Sequence, residues 1–234
     1  MQPLVDLRAA QPDDAPALVE VKRRTWPDEE VHLEQVQRVL ADPAHAVFAA
    51  QAEGMLAGFV DGFLTVSAGG VQRWEVDLLA VAPEWRGRQL GQRLVLACLA
   101  AGQKKRAQFA RALIQLENTA SQISFVRCGF QCLSAPLCLL VAPNAAFDSS
   151  AGAGSGHLLK VNTINYRGLW LEEDASPASL AAARAACFQA GLDLVGVLVP
   201  RPDLEDNHLN QGFSLAGVYQ WWQMEYSVNR EGKN

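Results

Sequence analysis

The chain has 234 residues, half of them hydrophobic, enough for one large or two small domains around a substantial core. A formal charge of −5 and a pI near 5.4 exclude a general nucleic-acid binder, whose footprint needs a basic face, and basic residues here cluster only locally. The opening MQPLVDLRAAQPDD has no basic segment leading into an apolar one, and no apolar run approaches the roughly 20 residues of a membrane span, so a cytoplasmic protein without a membrane partner is expected.

Val5 to Arg8 reads as a short strand, and Pro12-Asp13-Asp14 opens a helix that carries Leu18, Val19 and Val21 on one side and ends near Trp26-Pro27. Val31, Leu33, Val36, Val39 and Leu40 keep helical spacing up to Asp42-Pro43. Ala46 to Gln51 and Leu56 to Val66 follow as hairpin strands around Glu53-Gly54, and Trp74 to Val81 is a central strand. Pro83 breaks that strand, and Leu90, Leu94 and Leu96 to Leu99 resume near helical spacing, so a helix starts between Arg86 and Leu90. Ala110 to Leu116 reads as another strand, and Asn118 opens a helix ending at Cys128-Gly129-Phe130.

The most informative stretch is Val81 to Gln92, VAPEWRGRQLGQ, where an apolar strand turns into a helix. Cations in a helix's first turn oppose its dipole and cost up to about 1 kcal/mol each, so Arg86 and Arg88 make sense if something negative lies there. Free backbone N–H groups point at the same spot, and Gly87 and Gly91 let a phosphate oxygen approach the backbone. A pyrophosphate fits this description; a solvated turn with two surface arginines is the plainer reading.

From Asn144 to Gly156 the composition shifts to small residues, which reads as a flexible linker between a first domain over residues 1–143 and a second over 157–234. Beyond it, Val161 to Glu172 reads as a strand, Ser179 to Ala190 as a helix, Leu192 to Val199 as a strand, Leu204 to Phe213 as a helix and Leu215 to Tyr226 as a closing strand. That order repeats the second half of the first domain, and Asn207 to Gly212-Phe213 echoes Asn118 to Gly129-Phe130. The repeat has Glu172-Glu173-Asp174-Ala175-Ser176-Pro177 in place of the glycine-arginine loop, and its carboxylates would repel a pyrophosphate. Its role is therefore expected to be architectural, whether it is a true repeat or a generic βαβ pattern. A partial fold leaves sheet surface or edge to cover, against the first domain or in a homodimer, with Trp221, Trp222 and Tyr226 as candidates for the docking surface or for ordinary core.

The order Val81-Ala82-Pro83, Arg86 to Gly91, then Asn118 to Phe130 resembles the GNAT N-acetyltransferase superfamily, with its V-x-P strand end, R-G-x-G-x-G/A loop and N-x-x-A-x-x-x-Y-x-x-x-G-F helix. The resemblance covers residues 1–143 and implies an α/β fold built on a mixed sheet, with a partial second unit in the tail. It further implies acetyl-CoA as co-substrate, its pyrophosphate on Arg86, Gly87, Arg88, Gln89, Leu90, Gly91 and Gln92 and its pantetheine arm beside Leu79, Ala80 and Val81. Asn118, Ser121 and Phe125 occupy the family's remaining cofactor-side positions. Phe125 stands where many members use a tyrosine as general acid, and a phenyl ring has no proton to give.

The acceptor implied is a primary amine of a small molecule or protein, which must lose a proton to attack. Glu75 and Asp77 alternate onto one face of the central strand, and either can take the proton directly or through water, Asp77 being the first choice. In this superfamily the first helices and hairpin loops set acceptor choice, and Arg23, Arg24, Trp26, Glu29, Glu30 and Asp61 stand there without naming a substrate. The second reading is a catalytically silent module that binds acyl-CoA to sense it or to assemble a complex. Cys98, Cys128, Cys132, Cys138 and Cys187 lack C-x-x-C spacing and read as buried thiols, and His32, His45, His157 and His208 are dispersed, so no metal is expected.

Overall fold

The computed structural model describes residues 4–145, 154–200 and 211–226. Its elements are strand β1 (Val5–Ala9), helices α1 (Ala15–Thr25) and α2 (Leu33–Ala41), strands β2 (His45–Ala52), β3 (Met55–Val66) and β4 (Gln72–Val81), helix α3 (Leu90–Lys104), strand β5 (Phe109–Gln115), helix α4 (Thr119–Arg127), strands β6 (Gln131–Cys132), β7 (Leu137–Pro143), β8 (His157–Asn162) and β9 (Arg167–Glu172), helix α5 (Pro177–Gln189), and strands β10 (Leu194–Pro200) and β11 (Ser214–Glu225).

Local chemistry explains the boundaries. A short 3-10 turn at Pro12–Asp14 leads into α1, where Asp14 accepts the Gln11 N–H at 2.7 Å and holds Arg8 through both guanidinium nitrogens at 2.6 and 2.8 Å. Asn118 caps α4 and Ser176 caps α5, each accepting a backbone N–H three residues on. The span Val161 to Glu172, expected as one strand, is a hairpin. Thr163 Oγ1 accepts the N–H groups of Asn165 and Tyr166, both at 3.1 Å, and folds the chain back so that β8 pairs antiparallel with β9. The helix expected over Leu204 to Phe213 falls mainly outside the described residues, and Gln211-Gly212 is a turn. Cys132, expected buried, is exposed, because β6 has only two residues and neither is covered.

Among the described residues the strands form one mixed sheet in the order β1-β2-β3-β4-β5-β11-β7-β10-β9-β8, with β6 also on β11. The last strand, β11, lies between β5 and β7, antiparallel to both. The order is symmetric about the β11–β7 pair: each of these strands lies against a strand, β5 or β10, that runs parallel to a further neighbour, β4 or β9. The sheet thus runs unbroken through the two stretches read as separate domains. The stretch expected to be a linker is tied at its described ends: Asn144 N–H donates to the Asp193 carbonyl, and the N–H groups of Ser155 and Gly156 donate to Ser179 Oγ.

Alternation divides the side chains between two faces. Trp74, Val76, Ala110, Ala112 and Trp222 join Leu94, Cys98 and Phe125 in a core beneath α3 and α4, and Cys138, Leu140, Val195 and Val197 join Leu180 and Cys187 beneath α5. Gly62 permits the closest approach there: a Cβ on it would stand 2.4 Å from Cys98 Sγ and 2.7 Å from Trp74 Nε1. On the opposite face α1 and α2 cover Val47, Ala49 and Phe59 and reach Ile164 in the β8–β9 turn. Trp222 is therefore core, whereas Trp221, one residue earlier, faces the other way. The sheet curls so that β3 and β4 meet β9 across that second face: the rings of Phe63 on β3 and Trp170 on β9 are 5.9 Å apart, and Arg73 on β4 reaches Glu172 on β9 at 3.0 Å.

Candidate functional site

The turn from β4 into α3 passes through positive φ at Gly87 (75°) and Gln89 (60°), the second being the residue that precedes the helix. Among the described residues no backbone carbonyl receives the N–H groups of residues 87–92, so the donors at the head of a 15-residue helix stay open. Arg86 and Arg88 are exposed beside them; the Arg88 guanidinium lies 4.5 Å from the ring centre of Trp85, itself buried, and Arg86 Nε donates to the Val81 carbonyl at 3.2 Å. A Cβ on Gly87 would meet nothing within 4 Å, and one on Gly91 would touch Leu79 and Ser124 at 3.5 and 3.6 Å. Open N–H groups, a helix dipole and two arginines around free space make an anion site. Leu90 beneath the turn is buried, and Gln92 is half-buried.

β4 and β5 pair only over Arg73–Glu75 against Phe109–Arg111 and then part. At the parting β4 bulges: Asp77 pairs with Asp61 and Ala80 with Phe59, so Leu78 and Leu79 together face Val60, and Leu78 takes φ 53°. Leu79, Ala80 and Val81 run from this bulge to the loop. A cavity of about 900 Å³ opens at the gap, where Val76, Asp77, Ala112 and Leu113 line it.

Asp77 is half-buried, and burial, followed by the neighbouring Asp61 and Glu75 charges, pushes its carboxyl pKa up to about 7. It forms no ion pair among the described residues. Beside it Asp61 is fully buried, with His45 Nδ1 at 2.9 and 3.0 Å from its two oxygens. Burial works to lower the His45 pKa, but the Asp61 hydrogen bond and charge outweigh it and leave the imidazole above its ordinary value.

Glu75 lines the same cavity but is engaged. Arg111 Nε donates to its two oxygens at 2.9 and 2.8 Å, and Thr65 Oγ1 donates at 2.5 Å. Arg111 and Arg73 also hold Glu172, at 2.8 and 3.0 Å, which closes a network of two cations and two anions. Both Glu75 oxygens are thus occupied within the fold, which leaves Asp77 as the carboxylate of this strand without an ion pair among the described residues.

On α4, Asn118 and Phe125 have partners within the fold. Asn118 Oδ1 accepts the Ser121 N–H at 3.1 Å, and Phe125 is buried with its ring edge-on to Phe130 at 4.9 Å, in the core on the far side of the sheet from the cavity. The charged residues around α1 are largely bound within the fold. Arg24 meets Glu84 at 2.5 Å and Glu29 meets the buried Lys22 at 3.1 Å, while Arg23 and Glu30 sit with His32 around a shallow surface dip and Trp26 packs beside α1.

Tyr166, Trp170, Tyr219 and Trp221 also line the cavity. They come from the β8–β9 hairpin and β11, a stretch whose sequence reads as architectural. Only period-two alternation in β11, which sends Tyr219 and Trp221 to one face and Trp222 to the other, gave a signal for them.

The sequence profile of the acetyltransferase (GNAT) family matches residues 7–130, more than half of the chain. This chain belongs to the GNAT acetyltransferase family. It is 30% identical over 139 residues to the aminoglycoside N(6')-acetyltransferase type 1 of Stenotrophomonas maltophilia, covering 53% of this chain and 85% of that one. A GCN5-related N-acetyltransferase from Sphaerobacter thermophilus shares the fold at TM-score 0.61 and 13% identity, over 94% of this chain and 95% of that one. The GCN5-related glucosamine N-acetyltransferase region of a fungal multi-domain GH3 β-N-acetylglucosaminidase matches at TM-score 0.65 and 11% identity, over 96% of this chain and 38% of that one. This GNAT protein is thus an acyltransferase, and its mixed-sheet architecture recurs in solved structures over nearly the whole chain. No described helix of it is long and apolar enough to cross a membrane.

Proposed function

We propose that this GNAT protein moves an acetyl group from acetyl-CoA to a primary amine. The observation that carries this reading is that the open anion site at α3 and the available carboxylate Asp77 lie at the two ends of one bulged segment, residues 77–92, beside the gap between β4 and β5. The residues present fit the co-substrate: Arg86, Arg88 and the N–H groups of residues 87–92 match a pyrophosphate, and the strand Leu79–Val81 offers an extended edge along the gap for the pantetheine arm. Acetyl-CoA supplies an activated thioester. The protein's part is to hold it, to place the amine within reach of Asp77 and to accept the amine proton there as the nitrogen bonds to the acyl carbon and the C–S bond breaks. With Phe125 apolar and buried, the departing thiolate takes its proton from water or from the newly formed ammonium.

Calorimetric titration of the purified protein with acetyl-CoA tests the reading, repeated on the double variant Arg86→Glu/Arg88→Glu. Micromolar binding that the variant loses supports it, since both substitutions fall on exposed residues and reverse the charge an anion meets. An unchanged titration in the variant, or no binding to the wild type, refutes it.

A further inference from the structure

The floor of the cavity is chemically lopsided. Its two arginines, Arg73 and Arg111, are matched by Glu75 and Glu172 in the closed network, so their charges cancel. Asp174, farther along the wall, is taken up by serines: Ser155, Ser176 and Ser179 donate their hydroxyls to it at 2.7, 2.9 and 2.5 Å. Asp77, at the gap between β4 and β5, has no ion pair among the described residues, and neither has the exposed Glu173, which also lines the cavity.

Around Asp77 the walls are aromatic. Tyr166 from the β8–β9 turn and Tyr219 from β11 line the cavity together with it; burial raises both phenols, and the Asp77 carboxylate acts on both, after Glu29 in the case of Tyr219. Trp170 Nε1 donates to the Tyr166 hydroxyl at 2.7 Å, which fixes both side chains and leaves their rings as wall. Arg111 stacks on Trp221 at 4.1 Å and occupies one face of that indole. Leu137 and Leu139 complete the floor. The side towards α2 is closed, because Gln35 Nε2 donates to Asn162 Oδ1 at 2.9 Å and to the Thr163 carbonyl, which pins the β8–β9 turn against the helix.

Resting on the acetyl-transfer reading above, we infer that this cavity is the acceptor site and that its acceptor is a small primary amine carried on a flat apolar body, of the arylalkylamine class. Asp77 can receive the amino group at the gap, and aromatic walls reward a ring. A polyhydroxylated aminosugar would press hydroxyls against indole faces and leucines that cannot hydrogen-bond them. A protein N-terminus would bring backbone N–H and C=O groups against the same indole faces and leucines. The volume of about 900 Å³ is that of a small-molecule site.

The experiment uses the full chain and three probes: 2-phenylethylamine, kanamycin and triglycine. Binding of each to the CoA-loaded protein is measured by calorimetry, and acetyl transfer by thiol release, for the wild type, Tyr219→Leu and Tyr219→Phe. The expected result is that 2-phenylethylamine binds and is acetylated with kcat/KM at least about tenfold above the other two. Tyr219→Leu weakens its binding about tenfold, while Tyr219→Phe, which keeps the ring, restores it. Acetyl-CoA binding stays unchanged in both variants and shows that they are folded. A preference for kanamycin or triglycine, no binding of 2-phenylethylamine, or equal binding in Tyr219→Leu overturns the inference. If acetyl-CoA itself fails to bind, the transfer reading falls, and amine binding alone still decides whether the cavity selects a ring.

Discussion

Helices α3 and α5 each follow a strand of a parallel pair, β4 beside β5 and β9 beside β10, yet their N-termini are finished in opposite ways. At α3 the chain supplies arginines and glycine, leaves the N–H groups open and brings no carboxylate of its own. At α5 it supplies the anion itself: Asp174 accepts the Ser176 N–H at 2.8 Å and three serine hydroxyls, and Pro177 removes one donor from the first turn. Both ends satisfy the same electrostatic demand, since a helix N-terminus favours negative charge. One does so by folding and is complete; the other keeps its donors open, and we propose that the co-substrate's phosphates meet them. The contrast explains why a second strand–helix unit in one chain need not mean a second co-substrate site.

The contrast can be pressed hardest at β4, where the open end carries Asp77. Asp77→Asn should cut kcat by about 10²–10⁴-fold while acetyl-CoA still binds, whereas a sensor without chemistry would keep its ligand response and have no turnover to lose. In the wild type, kcat/KM should climb as pH rises through about 7, where the carboxyl releases its proton. Stability should move the other way. The folded pKa lies above the ordinary value of 3.8, so between roughly pH 4 and 7 the fold holds a proton that the unfolded chain has shed, and stability declines as pH rises across that window. Thermal denaturation should therefore show Asp77→Asn more stable than wild type at pH 8 and level with it near pH 4.

A smaller effect tests whether α3 can be given what α5 has. Gln89→Asp places a carboxylate at the head of α3, on a residue type that tolerates the left-handed backbone there. The melting temperature should rise by a few degrees as the carboxylate meets the dipole, and acetyl-CoA affinity should fall about tenfold through repulsion. Equal affinity would mean that the phosphates bind elsewhere.

The mildest change is at α5. Asp174→Ala should lower the melting temperature and leave acetyl-CoA titrations untouched. The Asp174 pKa is held below the usual carboxylate range by its hydroxyl and N–H donors, Ser179 foremost, so its stabilisation is present above about pH 4 and fades below it. The gap between variant and wild type should close as pH falls past that point; a gap that persists in acid would mean the carboxylate's charge is irrelevant.

Much of the first 130 residues was legible because each element there advertises itself locally: helical spacing in α2, alternation in β4, and an arginine-glycine turn whose composition names its ligand type. The hairpin inside Val161 to Glu172 was not, since its turn is made by Thr163 and hides an apolar residue, Ile164, buried under α2 rather than a glycine or proline. Nor could the fate of Glu75 be read. Its alternation with Asp77 is local, but the groups that occupy it, Thr65 and Arg111, come from neighbouring strands. The aromatic walls of the cavity escaped for the same reason: Tyr219 lines it with Asp77 only because a strand about 140 residues downstream is laid between β5 and β7.

That placement has a consequence for how the protein is made. During synthesis β5 is finished about a hundred residues before β11, so the edge on which β11 will lie stays bare while the chain in between emerges. The enzyme's first half must wait, half-paired, for a distant segment to zip into it, a high-contact-order step that invites premature partners. Selection for a slow-aggregating nascent chain, and not catalysis alone, therefore bears on which side chains β5 can show along that edge.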